Sequence, residues 1–166
     1  MIDETDIQIL KILQQNARTS NAEIARQVGM APSAILERIR RLETKGVIQG
    51  YEARINPEAL GLNLLAFVFV RSSDMAGEEK MAAVMAQFPE VQEVHHIAGE
   101  DCFMAKVRVR DAKSLGRLLR ERFGAISKVI STRTTVVLET ARESLQLPLS
   151  APAEASDEDP VEVFDA

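Results

Sequence analysis

The sequence predicts an α+β protein in two parts: a head of three short helices, and a body that alternates strands and helices. Three observations predict it. Apolar residues recur at helical spacing up to residue 46, then at strand spacing with two helical interruptions. Gly29, Gly46 and Gly61 punctuate the chain where these periods change. Charge is uneven: residues 150–166 hold six Asp/Glu and no Lys/Arg, while the rest is close to neutral.

The first helix is expected over residues 2–15. Ile2, Ile9, Leu10 and Leu13 share one side, and Asp3, Glu4 and Asp6 occupy the first turn, where the helix dipole favours acids. Ser20-Asn21-Ala22-Glu23 is a Ser-x-x-Glu capping box for the second helix. Its apolar side is Ala22, Ile24, Ala25 and Val28, and Gly29 ends it. Pro32 suits the first position of the third helix. There Ile35, Leu36, Ile39 and Leu42 form a core stripe, and Gly46 closes the helix. Three short helices with a glycine turn before the third match a helix-turn-helix layout.

The stretch GMAPSAILERIRRLETKG then has a physical reading. Ser33, Ala34, Glu37, Arg40, Arg41 and Thr44 face away from the stripe, and Arg38 and Lys45 flank it. Small residues let a helix approach a DNA groove, and Arg and Lys meet phosphates or guanine edges. The candidate DNA-binding residues are therefore Ser33, Ala34, Glu37, Arg38, Arg40, Arg41 and Lys45. Arg38 fits packing and phosphate contact equally, and Glu37 with Arg41 is also an ordinary (i, i+4) pair.

Residues 47–55 read as an extended segment, a wing or bridging strand, and Pro57 to Gly61 as a turn. Then follow a strand at 64–71, a helix at 77–88 with Met81, Val84, Met85 and Phe88 inside, a strand at 91–97, a turn at 99–101, a strand at 102–110, a helix at 112–123 and a strand at 128–138. This β-α-β-β-α-β order is the ferredoxin-like sandwich, two helices on one face of a four-stranded sheet. Apolar residues at both parities of 64–70 predict that the other face is buried by partner subunits. The expected domains are 1–46 (head, helix-turn-helix), 47–62 (linker strand and turn), 63–147 (sandwich) and 148–166 (acidic, disordered tail).

Composition bounds the function. Of 166 residues 46% are hydrophobic but only 4% aromatic, so the core is aliphatic. Cys102, the one cysteine, excludes an intramolecular disulfide and a Cys-rich zinc site. The start MIDETDIQIL lacks the basic and apolar regions of a signal peptide, and LLAFVFV at 64–70 is too short to span a bilayer. Both predict a cytoplasmic protein without a membrane partner. His95 and His96 are adjacent on a strand, point to opposite faces and do not ligate one metal. Lys106, among apolar strand residues, is expected to snorkel to an edge. No acid-base or nucleophile-base spacing marks a catalytic site.

Residues 3–61, from DETDIQILKILQQNARTSNAEIARQVG through GVIQGYEARINPEALG, resemble the N-terminal half of the leucine-responsive regulatory protein family, Lrp/AsnC. PEVQEVHHIAGEDCFMAKVRV and ISTRTTVVLE resemble its effector domain. The resemblance implies a sequence-specific DNA-binding transcription regulator, not an enzyme. It also implies homodimers and octamers, no cofactor, and an amino-acid-like effector. A G-x-x-D loop and a T-x-T strand from a neighbouring subunit line the family's effector pocket. Carried over, these are Gly99, Glu100, Asp101 and Cys102, with Thr132 and Thr134. Two positions depart from the pattern: Ala31 stands where Ser is frequent before the recognition helix, and Cys102 stands at the motif's last Asp. Two other readings are an Lrp-like haem-biosynthetic decarboxylase using His95, His96 and Arg133, and an effector-binding protein without DNA binding.

Overall fold

A computed structural model describes residues 2–73 and 78–150. It divides into two compact units: residues up to Ala53 together with those from Ser144 onward, and Arg54–Glu143. No helix among the described residues is long and apolar enough to cross a membrane. The acidic tail expected from residue 148 lies, beyond residue 150, outside the described residues.

The first unit holds α1 (Glu4–Gln15), α2 (Asn21–Val28) and α3 (Pro32–Thr44). Ile9, Ile24, Ala25, Ile35 and Ile39 interlock as its buried centre. Each buried Ile contributes about 1.5–3 kcal/mol of apolar transfer energy. The helix starts obey capping chemistry. Asp3, rather than residue 2, begins α1, and a reciprocal box joins it to Asp6. At α2 the Ser20 hydroxyl accepts from the Glu23 N–H at 3.2 Å. The Glu23 side chain does not return the bond; it pairs with Arg26 instead, at 2.7 Å. Gly29 ends α2 at φ 77°, where a side chain would be strained.

Two expected core positions lie outside: Ala22 and Leu36 are exposed, the latter by 37%. The buried stripe of α3, Ile35, Ile39 and Leu42, is narrower than its sequence pattern. Residues 49–55, expected to be extended, form neither helix nor strand. Tyr51 is anchored there by donating its hydroxyl to Glu43 at 2.9 Å. Burial, then that carboxylate, pushes its pKa up to about 12. Past Ser144 the chain returns to α1: the Leu147 N–H donates to Gln14 Oε1 at 2.7 Å, and Gln14 Nε2 donates to the Leu147 carbonyl at 3.2 Å.

The second unit has β1 (Leu64–Ser72), α4 (Glu78–Met85), β2 (Val91–His96), β3 (Phe103–Val109), α5 (Ala112–Leu118) and β4 (Val129–Val136). The antiparallel sheet runs β2-β3-β1-β4, the order of a ferredoxin-like sandwich. A wider π turn, Leu119–Phe123, prolongs α5. Ala66, Val68 and Val70 of β1 and Phe103, Ala105, Val107 and Val109 of β3 turn to one face. They pack with Met81, Met85, Leu115, Leu118 and Phe123. Val84, expected inside, is exposed.

The open face carries the other parity. Phe67 and Phe69 lie beside Lys106 and Met104 on it. Lys106 does not snorkel to an edge. It sits on a central strand and pairs with Glu93 at 2.8 Å and closely with Glu143. Glu143 also meets Arg108 at 3.3 Å. Lys106 holds the Glu93 and Glu143 carboxyls below their ordinary range. Burial lowers the Lys106 pKa, but its two glutamate partners raise it more.

Candidate nucleic-acid interface and effector cleft

The recognition helix is held from beneath by a carboxylate. Asp6, 1% exposed, is the only buried charged residue among those described. Arg38 donates to Asp6 Oδ1 at 2.8 Å and to Asp3 Oδ2 at 2.6 Å. Arg41 straddles both Asp6 oxygens, at 3.0 and 2.9 Å. The Arg38 guanidinium holds the Asp3 carboxyl below its usual range. A buried carboxylate needs such partners, since an unpaired ion in the interior costs several kcal/mol.

This changes the reading of the arginines. Arg41, expected to face the groove, turns to Asp6, although its side chain stays 45% exposed. Arg38, 23% exposed, lies in the same clamp, the packing contact of its two readings. Ser33, Glu37, Arg40 and Lys45 are exposed and Ala34 is half-buried. Arg40 and Lys45 hold no ion pair among the described residues. Ala31 starts α3 without a side-chain cap. Ala31→Ser should therefore raise the head's stability by about 1 kcal/mol, read as a shift of the urea midpoint. An unchanged midpoint would show that a Ser hydroxyl does not reach the first turn.

The turn between β2 and β3 forms the second candidate site. Gly99 there has φ 135°, a conformation that side chains rarely adopt. The turn edges an open cleft of about 600 Å³, lined by Ile97, Gly99, Glu100, Asp101, Phe69 and Arg133, among others. Arg133 pairs with Asp101 at 2.7 Å and lies over the Phe69 ring at 4.1 Å. The cleft thus sets a cation and an anion side by side above an aromatic floor.

Three sequence candidates are placed elsewhere. Cys102 does not line the cleft. It packs against the sandwich core and its sulfur accepts from the Ser72 N–H at 3.5 Å. Thr132 and Thr134 lie opposite Val70 and Val68 on the helix side, whereas Arg133 and Ser131 share the cleft side. Alternation along β4 separates them, so within one chain the threonines do not meet the turn. Asp101, one place before the motif's last position, supplies the carboxylate. His96 stacks on Phe103 at 5.2 Å, while His95 lies on the other face opposite Met104. Among the described residues no group of three His, Cys, Asp or Glu is placed to hold a metal.

Both units match known families. The AsnC-type helix-turn-helix domain matches residues 2–43, and the Lrp/AsnC ligand binding domain matches residues 65–147. The chain belongs to the Lrp/AsnC family. An Lrp/AsnC chain with these two domains is a DNA-binding transcription regulator with a ligand-binding domain. It is 38% identical over 149 residues to the HTH-type transcriptional regulator FL11 of Pyrococcus horikoshii, covering 89% of this chain and 97% of that one. It is 38% identical over 148 residues to the leucine-responsive regulatory protein of Salmonella typhimurium, covering 88% and 90%. A transcriptional regulator of Neisseria meningitidis, solved with L-Met, superposes with a TM-score of 0.84 at 28% identity, covering 89% and 97%.

The pattern left two features of this Lrp/AsnC chain unread: Asp6 as partner of the third helix, and Arg133 as partner of Asp101. The signal for the second was present, since Arg133 alternates with the two threonines and must face away from them.

Proposed function

We propose that this regulator reads DNA with Ser33, Glu37, Arg40 and Lys45 of α3, and that Asp101 and Arg133 receive an amino-acid effector. The observation that carries the reading is the Asp101–Arg133 pair at 2.7 Å over Phe69. An α-amino acid is a zwitterion. Its ammonium group matches Asp101 and its carboxylate matches Arg133 bidentately, so the ligand exchanges one ion pair for two. Phe69 and Ile97 suit an apolar side chain such as that of the L-Met found with the Neisseria relative.

The head spanning residues 1–54 has nearly balanced charge, so one head makes few phosphate contacts. Dimers, and octamers of them, sum enough contacts to hold a pseudo-palindromic site through two successive major grooves. Thr132 and Thr134, on the helix side of the edge strand, are then available to a neighbouring subunit's cleft. Ligand between dimers prefers one assembly and so sets the spacing of the heads. The reading is of a regulator without enzymatic activity: His95 and His96 lie on opposite faces and share no site.

Fluorescence anisotropy on the DNA upstream of this protein's own gene tests the proposal. Affinity should fall about a hundredfold or more between roughly 50 and 200 mM salt. Arg40→Ala should weaken it about tenfold with the melting curve unchanged. Binding no tighter than to random DNA, or indifferent to Arg40, would refute the assignment. An amino acid that shifts the curve names the effector class.

A further inference from the structure

A second cleft lies elsewhere on the sandwich and shares no lining residue with the first. Its volume is about 430 Å³, within the range of small-molecule sites. Leu62 and Leu118 give it an apolar floor, and Arg110, Arg117 and Arg122 line it. None of these three arginines holds an ion pair among the described residues, and all are exposed. Arg108 is excluded from the count because Glu143 engages it at 3.3 Å.

The cleft wall holds a second, independent anomaly. Glu90 Oε2 is buried and has no hydrogen-bond partner, the one such side-chain atom among the described residues. Its position is set by its own backbone, whose carbonyl accepts from the Arg108 N–H at 2.8 Å. Leaving a buried acceptor unmade costs about 1–3 kcal/mol, more when it is charged. Arginines for an anion and an orphan acceptor for a donor call for a ligand with both groups. Inorganic phosphate offers one or two hydroxyl donors at neutral pH, but it leaves the apolar floor bare. A nucleotide satisfies all three: phosphate to the arginines, ribose hydroxyl to Glu90, and a planar base over the leucines or a guanidinium.

We propose that this cleft binds a nucleoside phosphate, with Arg110, Arg117 and Arg122 on the phosphate and Glu90 accepting from the ribose. The regulator then has a second small-molecule input, independent of the amino-acid site.

Isothermal titration of the full chain with AMP, adenosine and inorganic phosphate, each alone, tests this. AMP should bind at least about tenfold tighter than either fragment. Arg117→Ala/Arg122→Ala should cost about tenfold or more in AMP affinity. Glu90→Ala should bring AMP down towards the affinity of phosphate alone. Glu90→Ala should melt no lower than wild type, since it removes the unmade acceptor, and Arg117→Ala alone controls for the Arg122 contact with the Phe88 ring at 5.7 Å. Arg133→Ala should leave AMP binding unchanged, which separates this site from the amino-acid cleft whatever becomes of that reading. No AMP binding at millimolar concentration overturns the proposal. So does AMP binding indifferent to the arginine pair, or phosphate binding as tightly as AMP.

Discussion

Asp6→Ala should lower the unfolding free energy of the head by about 2 kcal/mol, measured by urea titration of the far-ultraviolet signal. The estimate follows from what the carboxylate holds. Asp6 is nearly inaccessible and accepts from two guanidinium groups, with distances between 2.8 and 3.0 Å. Hydrogen bonds to charged groups contribute about 1.5–3 kcal/mol each. Arg38 and Arg41 are partly exposed, so water recovers part of what they lose, and the total stays well under the sum. The loss also includes the Asp6 half of the α1 cap. A companion result separates clamp from groove contact: Arg41→Ala should lose stability, and Arg40→Ala should not. If Asp6→Ala melts within about 0.5 kcal/mol of the parent, the clamp does not stabilise the head.

Arg133→Ala should weaken the effector amino acid by at least about thirtyfold. Truncating one partner of a charge pair buried in a complex costs about 2–5 kcal/mol, and the lower end applies to Arg133, whose side chain is 62% exposed in the free chain. Here the arginine is both the carboxylate's partner and the roof over Phe69. The loss leaves Asp101 to hold the ammonium alone. Arg133→Lys should recover only part of the affinity, because an ammonium does not offer the planar fork. Asp101→Asn should weaken binding in the same sense through the other end of the ligand. Calorimetry on folded protein checks each variant, and an Arg133→Ala affinity within about threefold of wild type would move the site elsewhere. DNA affinity without effector should be unchanged, since β4 belongs to the sandwich and α3 to the head.

The sequence by itself determined the architecture of this protein. Local rules decide helices and strands: the Ser20 cap, Pro32 at the start of α3, Gly29 after α2, and the alternation in β3, broken by Met104, all act within a few residues. Reading them required no knowledge of distant contacts. The two-domain order and the Gly99 turn were legible for the same reason. The failures are all non-local. Nothing near Arg41 says that a carboxylate 35 positions away will claim it. The helix-turn-helix layout, not the charge pattern alone, made it a groove candidate, since by charge alone Glu37 and Arg41 also fit an ordinary (i, i+4) pair. Leu36 and Val84 carry the right side chains for a core, but packing leaves them 37% and 41% exposed. Cys102 looked like a cleft residue because a motif was read as a string. Only the packed sheet showed that its sulfur turns toward Ser72 while Asp101 takes the Arg133 pair. Periodicity is a property of neighbours in the chain, so sequence reveals it. Which charge meets which is a property of neighbours in space, and only the tertiary structure decides that.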